Sequence, residues 1–224
     1  MKRLDQIKDD LEEFDREATG EPTLRIEWDF NKRAVWSGAF YFGTETERPP
    51  TIEFNYPTIE RWFRTLPEAR ASSRMKGLNF HELGHALYTP RESEQIGNDL
   101  AQLFNMLEDQ RVERLVIERY PDSKPYLQEL LTTDELLGAV RAHGRSHVPV
   151  VERRFLDGRF AKAYGSTALD SLAEIVDSYV ALGSGTPQGE LTALAGRLQA
   201  LMVDLGTLLP CFEDPFDNLF PALH

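Results

Sequence analysis

Two histidines one helical turn apart constrain this chain more than any other stretch. They stand in Asn79-Phe80-His81-Glu82-Leu83-Gly84-His85-Ala86-Leu87-Tyr88. The i, i+4 spacing stacks both imidazoles on one face of a helix. Glu82, one position round, reaches the same cleft from the side. Ala69, Ala71, Met75, Lys76 and Leu78 lead in, Leu83, Ala86 and Leu87 continue the stripe, and Pro90 stops it. The helix starts at a Ser72 or Ser73 cap, or just after Pro67. Gly84 inside the motif costs about 1 kcal/mol relative to Ala, so a close approach by another element is expected there.

His-Glu-x-x-His on a helix is a pattern in which two imidazoles bind one zinc ion and the glutamate acts as general base. The competing reading is a helix with two surface or core histidines. A catalytic zinc site wants three protein ligands and one open position, and two histidines with a glutamate form a known set. The third ligand is sought on the next long periodic segment, residues 100–120, which Pro121 ends. Leu100, Leu103, Phe104, Leu107 and Leu115 mark its inward face. At about 100° per residue Glu108 falls within that face and Asp109 roughly opposite. A buried acid is costly unless it is paired or bound to a metal. Glu108 is therefore either the third ligand or the partner of Arg111, which also points inward. Asp109 is the alternative ligand, with Asn105 and Glu113 on its polar face in supporting positions. Asn98 or Asp99 is the expected N-cap.

Residues 3–18 repeat Leu4, Ile7, Leu11 and Phe14 at helical spacing, up to Gly20-Glu21-Pro22. Residues 23–30 alternate, with Leu24, Ile26, Trp28 and Phe30 on one face of a strand. Asn31-Lys32-Arg33 reads as a turn, residues 34–42 return antiparallel with Gly38 as a bulge, and residues 51–56 add a third strand. The expected result is a small antiparallel sheet just before the motif helix. Such a sheet either backs the helix or offers an edge to an extended substrate. Ile59, Trp62, Phe63 and Leu66 give a short helix closed by Pro67, and residues 91–98 a polar loop.

Further helices are expected over 126–141 with Thr133 as cap, 167–182 and 190–205, followed by a proline-punctuated tail. The fold class is α+β: a lobe over 1–95 with the sheet and motif helix, then a mainly helical lobe over 96–224 that supplies the third ligand. His143-Gly144-Arg145-Ser146-His147 offers either solvated surface groups or donors to an oxyanion, a role open to Tyr120 as well.

Composition narrows the partners. A net charge of −12 and a pI near 4.9 argue against nucleic acid, whose phosphates need a basic surface, and against an anionic membrane. No apolar run approaches membrane-spanning length, and the N-terminus lacks the apolar core of a secretory signal. Cys211 is the single cysteine, so neither an intrachain disulfide nor a cysteine zinc site can form, as suits a reducing cytoplasm. Cys211 itself reads as a buried small hydrophobe.

The segment 81–89, followed by Asn105-Met106-Leu107-Glu108-Asp109-Gln110-Arg111-Val112-Glu113, resembles a family of zinc metallopeptidases. It is similar to the metallopeptidase-like part of cobaltochelatase CobT-type proteins and their phage-encoded relatives. These pair His-Glu-x-x-His with a downstream Asn-x-x-Glu-Asp-x-Arg-x-Glu helix. The resemblance spans residues 75–120 and extends to Gly144-Arg145. It implies a gluzincin-like site with Zn2+, an acid on the second helix as third ligand, and a peptide or protein substrate. The chain lacks the Asp-x-Ser-x-Ser signature of a von Willebrand A domain. It also has Tyr88 and Arg91 where the metzincin pattern needs Gly and His.

The expectation is a zinc-dependent peptidase. His81, His85 and Glu108, or Asp109 in its place, hold the metal. Glu82 is the base, and His143, Arg145, His147 or Tyr120 steadies the oxyanion. The rivals are a non-catalytic zinc-binding or scaffold protein, and a hydrolase of non-peptide amides.

Overall fold

The computed structural model describes residues 2–31, 38–43, 49–131 and 166–204. Helix α1 (Lys2–Thr19) precedes strands β1 (Arg25–Asp29), β2 (Gly38–Tyr41) and β3 (Thr51–Asn55). Then come α2 (Tyr56–Thr65), the motif helix α3 (Glu68–Tyr88), α4 (Asn98–Arg119), α5 (Lys124–Leu131), α6 (Ser166–Val180) and α7 (Gln188–Asp204). Short 3-10 turns, Arg91–Gln95 and Pro121–Ser123, precede α4 and α5. The architecture is mostly helical with one small sheet, hence α+β.

The sheet is mixed, not antiparallel. Its order is β1-β3-β2, so the expected hairpin between the first two strands does not form. β3 pairs parallel with β1, Ile26 opposite Ile52 and Trp28 opposite Phe54, and antiparallel with β2, Phe40 opposite Ile52. The reason is burial. Thr51, Ile52, Phe54 and Asn55 of β3 are all inaccessible, whereas β1 and β2 keep exposed positions. The strand covered on both faces takes the centre. The chain between β1 and β3 is long enough for the crossover that a parallel pair needs. Gly38 is not a bulge either; it stands in register opposite Phe54.

Asn55 ends the sheet and starts the next helix. Its side chain accepts from the Thr58 amide at 3.1 Å as N-cap of α2, and donates to Asp29 and to the Asn31 carbonyl. Pro57 fits the first turn, where no amide is required. Of the two expected starts for α3, the one after Pro67 holds. Ser73 instead bonds back to the Ala69 carbonyl. Helix α4 begins at Asn98, one of its two expected caps, and Gly97 takes the cap position instead.

Two apolar clusters carry the packing. One joins Leu4 and Leu11 of α1, Leu24 and the strand residues Ile26, Ile52 and Phe54 to Ile59, Trp62, Ala71, Met75 and Leu78. The other joins Leu103, Phe104 and Leu107 of α4 to Leu172, Ile175, Val176 and Tyr179 of α6 and to Leu191, Ala195 and Leu198 of α7. Helix α4 is therefore packed on two sides, because Val112 and Val116 meet α3 at Gly84. A Cβ there would lie 3.0 Å from Val116 Cγ2, the close approach expected from the glycine. Lower on α3, a Cβ on Gly77 would lie 2.3 Å from the Tyr126 carbonyl oxygen of α5. Among the described residues no helix is long and apolar enough to cross a membrane.

Candidate metal centre

The rotation of α3 is fixed by the two residues before His81. Asn79 is buried and donates to Asp15 of α1 at 2.8 Å. Phe80 stacks on Tyr126 and lies against Phe14 and Tyr120. His81 and His85 are thereby turned toward α4, with ring centroids 5.1 Å apart.

The carboxylate that α4 brings to them is Asp109. Its Oδ1 lies 3.1 Å from His85 Nε2 and 3.8 Å from His81 Nε2. Donors about 2.0–2.2 Å from one tetrahedral ion are roughly 3.4 Å from each other, so these separations bracket that value. His81, His85 and Asp109 together form a group whose donor atoms can hold one metal ion. The Asp109 side chain is 45% exposed, which leaves the group open to solvent on that side.

Glu108, the acid that its helix face favours as third ligand, stands outside this group. It is inaccessible and lies within the α4–α6 packing. Its oxygens accept from Arg111 Nε at 2.8 Å, Arg111 Nη2 at 2.5 Å, Tyr179 at 3.0 Å and Thr89 at 2.8 Å. Arg111 also donates to the carbonyls of Tyr88 and Gly183. This is the buried Glu108–Arg111 pair that was the competing reading, with every lone pair accounted for. The sequence locates Glu108 correctly on the apolar face, but that face looks toward α6, while Asp109 looks toward α3.

The far nitrogens of both rings are held. His81 Nδ1 lies 3.0 Å from Glu113 Oε1, one turn beyond Asp109 on α4. His85 Nδ1 lies 3.0 Å from Thr89 Oγ1. A carboxylate only accepts, so His81 Nδ1 donates to Glu113 and the Nε2 side faces Asp109. Hydrogen bonds of this kind set the tautomer and aim of metal-binding histidines. Thr89 is the residue that the sequence reading missed. Its signal is the following Pro90, which forces extended backbone on the residue before it and turns the Thr89 side chain back along the helix end.

The field in the cleft favours a cation. Burial disfavours charge on His81, yet the Glu113 hydrogen bond and the carboxylates of Asp109 and Glu82 outweigh it and push the ring up to about 10. Glu82 is buried beside the rings. Desolvation raises its carboxyl, against the lowering pull of His81 and His85, and the net shift is upward. Its Oε1 faces the start of β2: a Cβ on Gly38 would come within 2.9 Å of it. Glycine there lets an edge strand run past the acid.

Tyr120, a candidate oxyanion donor, packs edge-on against Phe14 and beside Phe80, in the aromatic cluster and not in the imidazole–carboxylate group. His143, Arg145, His147, Thr133 and Cys211 lie outside the described residues. The chain matches no family model, no curated protein and no solved structure.

Proposed function

We propose that the chain is a zinc-dependent metallopeptidase in which His81, His85 and Asp109 hold the metal and Glu82 is the general base. One observation carries the reading. Two imidazole nitrogens whose opposite ring atoms are already engaged converge with a carboxylate oxygen at spacings that suit a single ion. When bound there, zinc supplies Lewis acidity and lowers the pKa of water toward about 7.

The protein's own groups supply the rest. Glu82, raised by burial, takes the proton of the attacking water and gives it to the leaving amine. Glu113 and Thr89 keep the rings aimed. Among the described residues β2 is an edge strand of the sheet, and it passes Glu82 at Gly38. An extended peptide that adds to this edge is laid across Glu82 and the imidazole pair, which favours a peptide over a small amide as substrate. The exposed side of Asp109 leaves room for water and for the scissile group.

Glu82→Gln tests the reading. The variant should keep zinc and lose hydrolysis of a peptide library by about 10²–10⁴-fold. Zinc bound by the wild-type protein without any peptide cleavage would favour the non-catalytic zinc-binding protein instead.

A further inference from the structure

We infer that Thr89, backed by Glu108, Arg111 and Tyr179, is a positioning residue. It keeps a proton on His85 Nδ1 and so leaves Nε2 as the nitrogen available to a metal. The inference rests on the metal reading above, and it gives the buried acid of α4 a role other than that of ligand.

The direction of each hydrogen bond follows from what the groups can donate. Thr89 Oγ1 lies 2.8 Å from Glu108 Oε1 and 3.0 Å from His85 Nδ1, and it has one hydrogen to give. Glu108 is the carboxylate of a buried ion pair and can only accept. Its other contacts come from groups that can only donate to it, Arg111 Nε and Nη2 and the hydroxyl of Tyr179. The Thr89 hydrogen therefore goes to Glu108. The lone pair left on Oγ1 faces His85 Nδ1, which must carry a proton to use it.

Asp109 competes from the other side of the ring, with its Oδ1 3.1 Å from Nε2. A metal bound at Nε2 would end that rivalry. The proton stays on Nδ1 and is donated to Thr89 Oγ1, so that Nε2 would face an ion shared with Asp109. His81 needs no such relay, because Glu113 accepts directly from its Nδ1. The relay also ties His85 to the α6 core, since Tyr179 is fully buried in that cluster.

The test uses the whole chain and has two arms. In the first, Zn2+ affinity is measured by competition with a chromophoric chelator. Thr89→Val should bind about 10–100-fold more weakly than wild type, and Thr89→Ser, which restores a hydroxyl, should recover most of the loss. In the second, long-range ¹H–¹⁵N spectra of the metal-free wild-type protein report the protonation of His85, with no variant needed. Nδ1 should carry a proton.

Zinc affinity in Thr89→Val equal to wild type, or equal losses in the Val and Ser variants, overturns the relay. So does an unprotonated His85 Nδ1. A wild-type chain that takes up no Zn2+ overturns the metal reading instead, and the imidazole spectrum still shows whether His85 Nδ1 carries the proton that Thr89 accepts.

Discussion

The Oδ1 atom of Asp109 lies 3.1 Å from Nε2 of His85, and it joins the helix that carries both imidazoles to one that carries none. The next residue along, Glu108, makes no such bridge and is sealed into a pair with Arg111. Neighbouring acids on one helix thus face different partners, and their substitutions should separate two properties.

Asp109→Asn removes a half-exposed carboxylate. Metal-free stability should change by less than about 1 kcal/mol, as for other surface pairs. Zinc uptake should fall by at least tenfold. Denaturant melts and a metal-binding titration check the two halves.

Glu108→Gln leaves the Arg111 guanidinium buried without its counter-charge. Breaking such a pair costs about 3–5 kcal/mol, so the metal-free variant should unfold at clearly lower denaturant. Urea melts with the same midpoint as Asp109→Asn would contradict this division of labour.

Asp15 should make stability depend on pH in the unusual direction. Burial pushes its carboxyl up from 3.8 to about 8, the Asn79 hydrogen bond opposes this, and Glu12 adds to the rise. Its Oδ2 has no partner among the described residues. Between those two pH values the folded chain holds a proton that the unfolded chain has released. This contribution is complete below the unfolded value and is lost as pH rises toward about 8, at up to about 1.4 kcal/mol per unit. Urea denaturation near pH 5 and near pH 8 should show wild type losing stability relative to Asp15→Asn. Parallel pH slopes for the two proteins would count against a protonated Asp15.

Gly77→Ala should destabilise the fold despite the roughly 1 kcal/mol that alanine brings to a helix interior. The obstacle is a backbone atom, the Tyr126 carbonyl oxygen, which a new Cβ would meet at 2.3 Å. Overpacking of this kind costs about 1–3 kcal/mol, and α3 and α5 must separate. Gly84→Ala meets only valine side chains at 3.0–3.2 Å and should cost less. A thermal midpoint for Gly77→Ala above that of wild type would show that the helices are less tightly apposed.

The parts of this molecule that are legible in the sequence are those set by local spacing. The imidazole pair, the glycine of close approach, the stop at Pro90 and the inward position of Glu108 all follow from helical periodicity and residue type. Strand order does not, because nothing local in residues 25–29 distinguishes a partner ten residues away from one further along. Nor does the choice between Glu108 and Asp109. A rule that assigns one buried face per helix selects the wider apolar face, and on α4 that face belongs to α6 and α7. The narrower face, with Asp109, Val112, Glu113 and Val116, meets α3. Thr89 escapes because its importance depends on a carboxylate from another helix.

Metal analysis of the purified chain bears most directly on the proposed centre. Wild-type protein should retain close to one zinc per chain after desalting. Asp109→Ala should retain almost none while melting within about 1 kcal/mol of metal-free wild type. Full zinc occupancy in Asp109→Ala, or no zinc in wild type supplied with the ion, would contradict a centre built from His81, His85 and Asp109.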